Sequence, residues 1–343
     1  MKYLQWLKKS VVLETGIFFA FLSLFLLLNW RLFAFGSESQ LFLYGDNLTT
    51  LNNLFYIFSH FTVSDMFGTF IGKAGMLGSY PLSEPQNSIF YLPILVLLPI
   101  FKIFDLGAIG LYYELLFLHL FHFILGTFFV YKIAQKFLGL SRPYAFLAGV
   151  VYMGLGWNVA WFGTATLSYM IGLLPVTLFA FLAYMKKGGV REYLFFVLSL
   201  SLVLYAGGIV NFFFYIFLNL FILFLSFIIF RFEQFSPVVP RNESVKKFLL
   251  VFILAPFLSL FTYAIQLFQT YRISGDIFHS SSAYDYLAFF GTHFYDLIGL
   301  IVPRFGLIDF GSVTSPTMVL EFSLANILYV GVIPLLVLLL GIF

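Results

Sequence analysis

Asp46 lies in the segment LYGDN (residues 43–47), shortly after the first long apolar stretch of the chain. A carboxylate held near a membrane surface can act as a general base, hold a divalent cation or bind a sugar hydroxyl. It can also cap the helix that the pattern predicts over 48–61, which is a common role for Asp. The residue type by itself leaves these four roles open.

A second polar group precedes the apolar run 89–104. Glu84, Gln86 and Asn87 lie in a segment that is rich in proline and polar residues, GSYPLSEPQN (residues 78–87). Carboxylate and amide groups at such a place could hold the hydroxyls of a sugar. A turn followed by a helix cap explains the same residues without any ligand.

Basic residues near the same membrane boundary suggest a site for phosphate. Arg272 closely follows the apolar stretch 248–270, and Lys73 and Arg304 lie in the polar segments on the same predicted side. A guanidinium binds a phosphate through two parallel hydrogen bonds. The alternative is that Arg272 extends its head group to the lipid headgroups.

Ionisable residues also occur inside an apolar stretch. Glu114, His119 and His122 lie within 107–131, and an ionisable group at membrane depth is a functional candidate. The two histidines are three residues apart on one helix face, but no HExxH pattern or carboxylate ligand accompanies them. We therefore expect hydrogen bonds between helices rather than a metal site.

The composition is that of a membrane protein. Of the 343 residues, 62% are hydrophobic and 10% are charged, whereas soluble domains have roughly 25% charged residues. The net charge of +3 is small and dispersed, so no nucleic-acid partner is expected. The chain has no Cys, which excludes disulfides and thiolate chemistry. It also has no P-loop or dinucleotide fingerprint, which disfavours an enzyme supplied with cytoplasmic nucleotides.

About eight stretches are long and apolar enough to predict spanning helices, in a single all-α transmembrane domain over 1–343. They are 11–34, 107–131, 143–163, 167–185, 192–206, 209–230, 248–270 and 324–343. The last stretch runs to Phe343 without a flanking charge, so we expect a longer protein that is truncated at its C-terminus.

The basic residues predict the orientation of these helices. If 89–104 does not span, most of the 18 Lys and Arg residues fall in the cytoplasmic segments, as the positive-inside rule requires. We therefore predict a cytoplasmic N-terminus and a re-entrant or interfacial helix at 89–104. Two large outer loops follow, 36–106 and 271–322, and they contain the polar groups described above.

The order of several short segments resembles the YfhO-type bacterial membrane proteins, which belong to the GT-C-fold glycosyltransferases that use lipid-linked sugars. The matching segments are YGD at 44–46, 78–93, KIAQKFLGLSRPYA at 132–145, LP at 174–175, YR at 271–272 and IVPRFG at 301–306. Gly207-Gly208 stands where the family often has a Gly-His-Pro-Gln run, and this departure leaves the neighbouring residues without a transferable role.

The resemblance implies a GT-C-like fold in a bacterial plasma membrane, with the active site on the external face. Asp46 matches the acidic residue that serves as base or metal contact in the first outer loop. The donor would be a polyprenyl-phosphate sugar, and the acceptor a cell-wall polymer such as teichoic acid or another glycan. The alternatives are a transporter or flippase of a lipid-linked saccharide and a non-catalytic subunit of an envelope-assembly complex.

Overall fold

The described part of the chain is helical. The computed structural model describes residues 2–28, 54–55, 59, 90–104, 107–155, 165–206, 215–216, 218–224, 247 and 249–264. The helices with defined bounds are α1 Lys2–Leu28, α2 Leu92–Phe104, α3 Ala108–Lys136, α4 Arg142–Met153, α5 Ala165–Lys187, α6 Val190–Tyr205 and α7 Ala255–Thr262. A π-helical turn, Leu250–Leu254, leads directly into α7. No strand occurs in these ranges, so the all-α prediction is confirmed for them.

Two of these helices are long and apolar enough to cross a membrane. Within the described residues they are Ile109–Lys136 in α3, with 28 residues, and Ser168–Lys187 in α5, with 20 residues. At 1.5 Å per residue they extend over about 42 and 30 Å, and the hydrocarbon core of a bilayer is about 30 Å thick. They coincide with the predicted spans 107–131 and 167–185.

The other predicted spans are described only in part. Helical residues occur as α1 in 11–34, α4 in 143–163, α6 in 192–206, residues 218–224 in 209–230, and α7 in 248–270. The predicted span 324–343 and the predicted loop 271–322 lie outside the described residues. The number of eight spanning helices therefore stays a prediction.

Side-chain contacts show that α1 and α3 are antiparallel. The Nζ atom of Lys132 lies 2.7 Å from Oε1 of Glu14, and the ring centroids of Phe25 and Phe123 lie 4.7 Å apart. In the direction in which residue numbers rise along α1, they fall along α3. We call the end of the bundle where α3 begins the upper end, and the end where α3 finishes the lower end.

α5 runs parallel to α3 and packs against it. The ring centroids of His122 and Tyr169 are 4.9 Å apart, and those of Phe129 and Phe179 are 5.0 Å apart. Both helices therefore run from the upper to the lower end. In the chain, α4 connects the lower end of α3 back to the upper end where α5 begins. The Tyr152 hydroxyl near the end of α4 donates a 2.6 Å hydrogen bond to the carbonyl oxygen of Ile171 in α5.

α6 and α7 run upward side by side. α6 follows α5 after a two-residue turn, and the rings of Tyr184 and Tyr193 lie 5.3 Å apart across that pair. The Tyr193 hydroxyl also donates to the carbonyl of Leu250 at 3.2 Å, and Thr262 donates to Ser201 at 3.0 Å. Because both numbers rise together, α6 and α7 are parallel.

Aromatic rings fill the space between α1, α3 and α4. The buried ring of Phe21 stacks on Phe146 with a centroid distance of 4.6 Å and meets the edge of Tyr131 at 6.3 Å. Gly149 of α4 leaves room for this ring, because a Cβ there would come within 2.9 Å of the Cε1 atom of Phe21. The missing side chain thus permits the close approach of three helices.

Candidate functional site

The site residues predicted in the outer loops lie outside the described residues. They are Asp46, Lys73, Glu84, Gln86, Asn87, Arg272 and Arg304. Their roles stay predictions, and what the structure contributes is the position of the helices to which their segments are joined.

Those helices point toward the same end of the bundle. α1 runs upward, and the segment with Asp46 follows it in the chain. α7 also runs upward, and the segment with Arg272 and Arg304 follows it. α2 leads into α3 at the upper end. The segments with Asp46 and Arg272 therefore follow helices that run to the upper side, whereas the segment with Glu84, Gln86 and Asn87 leads into Tyr91 at the beginning of α2.

Four buried polar and aromatic side chains meet where α2 begins against α3 and α5. Tyr91, His119, His122 and Tyr169 are each no more than 1% exposed, and we call them the Tyr–His cluster. The Tyr91 ring stacks on Tyr169 with a centroid distance of 5.2 Å. Tyr169 also lies 5.1 Å from the ring of His119 and 4.9 Å from that of His122. The cluster thus joins three helices at one point.

Both ring nitrogens of His122 are used in hydrogen bonds. Nδ1 lies 2.7 Å from the carbonyl oxygen of Leu118, which can only accept, so Nδ1 carries a proton and donates it. Nε2 then accepts the hydroxyl of Tyr91. This is the hydrogen-bonding pattern of a neutral imidazole protonated on Nδ1. The prediction that a histidine here bonds between helices is confirmed for His122.

Within the described part of the chain, no third His, Asp or Glu joins the two imidazoles of the Tyr–His cluster as a possible metal ligand. No group of three or more His, Asp or Glu side chains with the spacing of metal ligands occurs there. The tyrosines and imidazoles instead form a packed aromatic unit with one defined hydrogen bond between helices. Such a unit positions α2 more firmly than apolar contacts alone, because a hydrogen bond also fixes orientation.

The cluster lies well below the upper end of the bundle. His122 follows the first residue of α3 by about four helical turns, or about 21 Å along the axis. α2 has 13 residues, which is about 20 Å of helix, and its last residue lies three residues before Gly107. α2 therefore begins near the middle of α3 and rises beside it to the upper end. This geometry fits the re-entrant form of the prediction for 89–104.

Two buried polar groups near the cluster have no hydrogen-bond partner within the described residues. One is the hydroxyl of Tyr169. The other is the carboxyl group of Glu114, about two turns above His122 on α3. Neither of its two oxygens has a hydrogen-bond partner among the described residues. Burial of a polar group without a partner is costly, so these groups need a water, a proton or a polar ligand.

An ion pair between buried Lys132 and partly buried Glu14 connects α1 and α3 near the lower end. Lys132 and Glu14 have side chains that are 10% and 22% exposed, and their charged atoms are 2.7 Å apart. The Lys132 ammonium also lies 5.7 Å from the ring centroid of Phe128 and 5.8 Å from that of Tyr131. Sequence reasoning missed this pair, because its members are distant in the chain and neither lies in a recognisable motif.

Comparisons with protein families, with curated proteins and with solved structures found no match for this chain. The resemblance to the YfhO-type proteins therefore rests on the sequence segments that carry it, and functional conclusions rest on the chemistry of the residues and the direction of the helices.

Proposed function

We propose that the chain is a multi-pass protein of a bacterial plasma membrane. The length and apolar character of α3 and α5 support this proposal. Large apolar side chains also cover outward faces of the described helices, including Ile109 at 74%, Phe117 at 65% and Phe261 at 71% exposure. Such faces would be unfavourable in water and match the acyl chains of a bilayer.

The distribution of positive charge supports a cytoplasmic lower end. All basic residues of the described part except Lys102 lie on helices at or toward that end: Lys2, Lys8, Lys9, Lys132, Lys136, Arg142, Lys186, Lys187, Arg191 and Lys247. Basic residues accumulate on the cytoplasmic side of membrane proteins. The upper end then faces outward, and α2 extends from the middle of the membrane to that side.

On this topology, the proposed activity is that of a GT-C-like glycosyltransferase. The enzyme would move a sugar from a polyprenyl-phosphate donor to an extracytoplasmic cell-envelope polymer or glycan. One structural observation carries the proposal: α1 and α7 run toward the same end. The segments with Asp46 and Arg272 are thereby joined to helices that point outward, as one external site requires.

The proposed reaction is a displacement at the anomeric carbon of the donor. Asp46 takes the proton of the acceptor hydroxyl, or orients that hydroxyl, as its oxygen bonds to the anomeric carbon. The bond between that carbon and the phosphate oxygen breaks, and the lipid phosphate leaves with its electron pair. In the alternative that the resemblance implies, Asp46 would hold a divalent cation instead of taking the proton.

Cations and hydroxyl-binding groups complete the proposed site. Arg272, with Lys73 and Arg304, would stabilise the negative charge that develops on the leaving phosphate. Binding that phosphate equally well before the reaction would not accelerate it, so these cations must act most strongly in the transition state. Glu84, Gln86 and Asn87 would bind the sugar hydroxyls and select the donor.

Sugar transfer in isolated membranes tests this proposal. We expect transfer from a radiolabelled polyprenyl-phosphate sugar, and a loss of at least about a hundredfold in Asp46→Asn, since general base catalysis contributes about 10² to 10⁴. Asp65→Asn is the matched control, because it removes the same charge in the same predicted loop. If Asp46→Asn and Asp65→Asn both transfer sugar as fast as wild type at matched expression, Asp46 is excluded from the reaction.

The Tyr–His cluster favours one alternative function, the transport of a lipid-linked saccharide. Transporters place polar groups near the middle of the membrane at broken or re-entrant helices, as Tyr91 and His122 do here. A fluorescent lipid-linked saccharide in proteoliposomes tests this alternative. Translocation without sugar transfer, lost in His122→Ala but not in Asp46→Asn, would favour the transporter. Absence of both activities would favour a subunit of an assembly complex.

A further inference from the structure

The lower end of the bundle carries more positive charge than the described carboxylates neutralise. Two of its lysines are paired: Lys132 with Glu14 at 2.7 Å, and Lys187 with Glu192 at 3.3 Å. The remaining described acidic residue, Glu114, lies in the upper half of α3. The other cations of this end therefore have no carboxylate partner within the described part of the chain.

Two of these cations are fixed beside each other at the ends of α3 and α5. The rings of Phe137 and Phe179 meet edge to face at 5.6 Å between the two helices. The ammonium of Lys136 lies 5.6 Å from the Phe179 centroid, and that of Lys186 lies 5.7 Å from the Phe137 centroid. Lys186 also donates to the carbonyl oxygen of Lys136 at 3.5 Å. The aromatic pair thus positions two positive charges at one edge.

The beginning of α4 adds to this positive region. α4 starts at Arg142 immediately after the turn that follows α3, and Arg142 is exposed. Ser141 precedes it as the N-cap residue, and its hydroxyl makes no capping hydrogen bond. A helix N-terminus favours anions through its free N–H groups and its dipole. Arg142 thus adds positive charge to the lower end, and we call Lys136 and Lys186 the lower cationic site.

Exposed apolar side chains border this site. Leu138 is 65% exposed, Leu140 is 39% exposed and Tyr144 is 67% exposed, and all three lie in the turn after α3 or the first turn of α4. Apolar and aromatic groups next to cations are typical of the boundary between headgroups and acyl chains. A free phosphate would use the cations but would leave these side chains in water.

We propose that the lower cationic site binds the phosphate headgroup of an anionic lipid of the cytoplasmic leaflet. The headgroup phosphate contacts Lys136 and Lys186, and the acyl chains cover Leu138 and Tyr144. Basic pockets between membrane helices on the cytoplasmic side bind anionic headgroups in this way. The inference rests on the proposed membrane topology and is independent of sugar transfer.

Lipid selectivity in nanodiscs tests this inference. The full chain is assembled with equal amounts of phosphatidylglycerol and phosphatidylcholine, and the lipids that remain bound after detergent extraction are measured by mass spectrometry. We expect wild type to retain phosphatidylglycerol preferentially. Lys136→Gln and Lys186→Gln should each reduce that preference about fivefold, because one basic residue near the membrane surface contributes about that factor to the binding of an anionic lipid. Lys102→Gln, which removes the same charge at the upper end, should leave the preference unchanged.

Two results would overturn the inference. An equal phosphatidylglycerol preference in Lys136→Gln/Lys186→Gln and in Lys102→Gln would place any lipid binding elsewhere. A second arm distinguishes the source of the phosphate, by comparing thermal unfolding in neutral detergent with short-chain phosphatidylglycerol or with inorganic phosphate at equal ionic strength. The inference expects stabilisation by the lipid alone. Equal stabilisation by inorganic phosphate would identify an ordinary anion site.

Discussion

Gly126 of α3 lies directly against Gly172 of α5. A Cβ placed on Gly126 would come within 3.0 Å of the Gly172 Cα and within 3.1 Å of the Ile171 carbonyl carbon. A Cβ placed on Gly172 would come within 3.0 Å of the Cα of His122. The two parallel helices therefore touch through their backbones. This close contact of small residues holds membrane helices together where apolar burial gives little driving force.

The glycine contact predicts opposite effects of two Gly→Ala changes. Gly172→Ala should destabilise the protein by about 1–3 kcal/mol, because the new methyl group meets rigid backbone atoms. Gly16→Ala in α1 should be neutral or stabilising by up to about 1 kcal/mol. Among the described residues, no atom outside the local helix backbone lies within 4 Å of a Cβ placed there, and Ala favours helix. Thermal unfolding in detergent, followed by circular dichroism, measures both. Equal stability of the two variants would contradict the backbone contact.

Removing the Tyr91 hydroxyl should be more harmful than removing that of Tyr169. Both tyrosines are fully buried, but only the Tyr91 hydroxyl bonds His122 among the described contacts. Tyr91→Phe leaves a buried imidazole nitrogen without a donor, at a cost of about 1–3 kcal/mol. Tyr169→Phe makes the same chemical change without breaking a described hydrogen bond. A larger loss of thermal stability in Tyr169→Phe would show that its hydroxyl has the more important partner.

The sequence was sufficient to predict the helices but not the pairs of residues between them. Apolar runs predicted α3 and α5 because burial in lipid requires such runs whatever the tertiary packing. The partner of His122 could not be predicted, since Tyr91 lies 31 positions away in the chain. Gly126 and Gly172 likewise form no motif within one helix, and their contact follows only from the parallel packing of α3 and α5.

The ion pair between Glu14 and Lys132 predicts a strongly coupled pair of substitutions. Lys132→Met should cost about 3–5 kcal/mol, because it leaves the Glu14 carboxylate without its partner in a mostly buried position. Glu14→Gln combined with Lys132→Met should recover most of that loss, since no charge then stays unpaired. A double-mutant cycle from thermal unfolding measures the coupling. Additive losses from the two single variants would mean that the pair contributes no specific stability.

The directions of the helices could be predicted from the sequence more easily than the side-chain pairs. The antiparallel packing of α1 and α3 requires an even number of membrane crossings between them, which excludes 89–104 as a single crossing within the proposed topology. The basic residues predicted the same result from charge alone. The charge pattern could not predict how far α2 lies below the upper end. The contact between Tyr91 and His122 shows that α2 begins beside the middle of α3.

The central claim is that α3 begins outside the cell and ends inside it, and labelling of introduced cysteines tests it most directly. The chain has no Cys, so Gly107→Cys and Ser141→Cys each introduce a single thiol, at exposed positions on either side of α3. A membrane-impermeant maleimide applied to intact cells should label Gly107→Cys. It should label Ser141→Cys only after the cells are lysed. Labelling of Ser141→Cys in intact cells, with Gly107→Cys protected, would contradict the topology and the external site that depends on it.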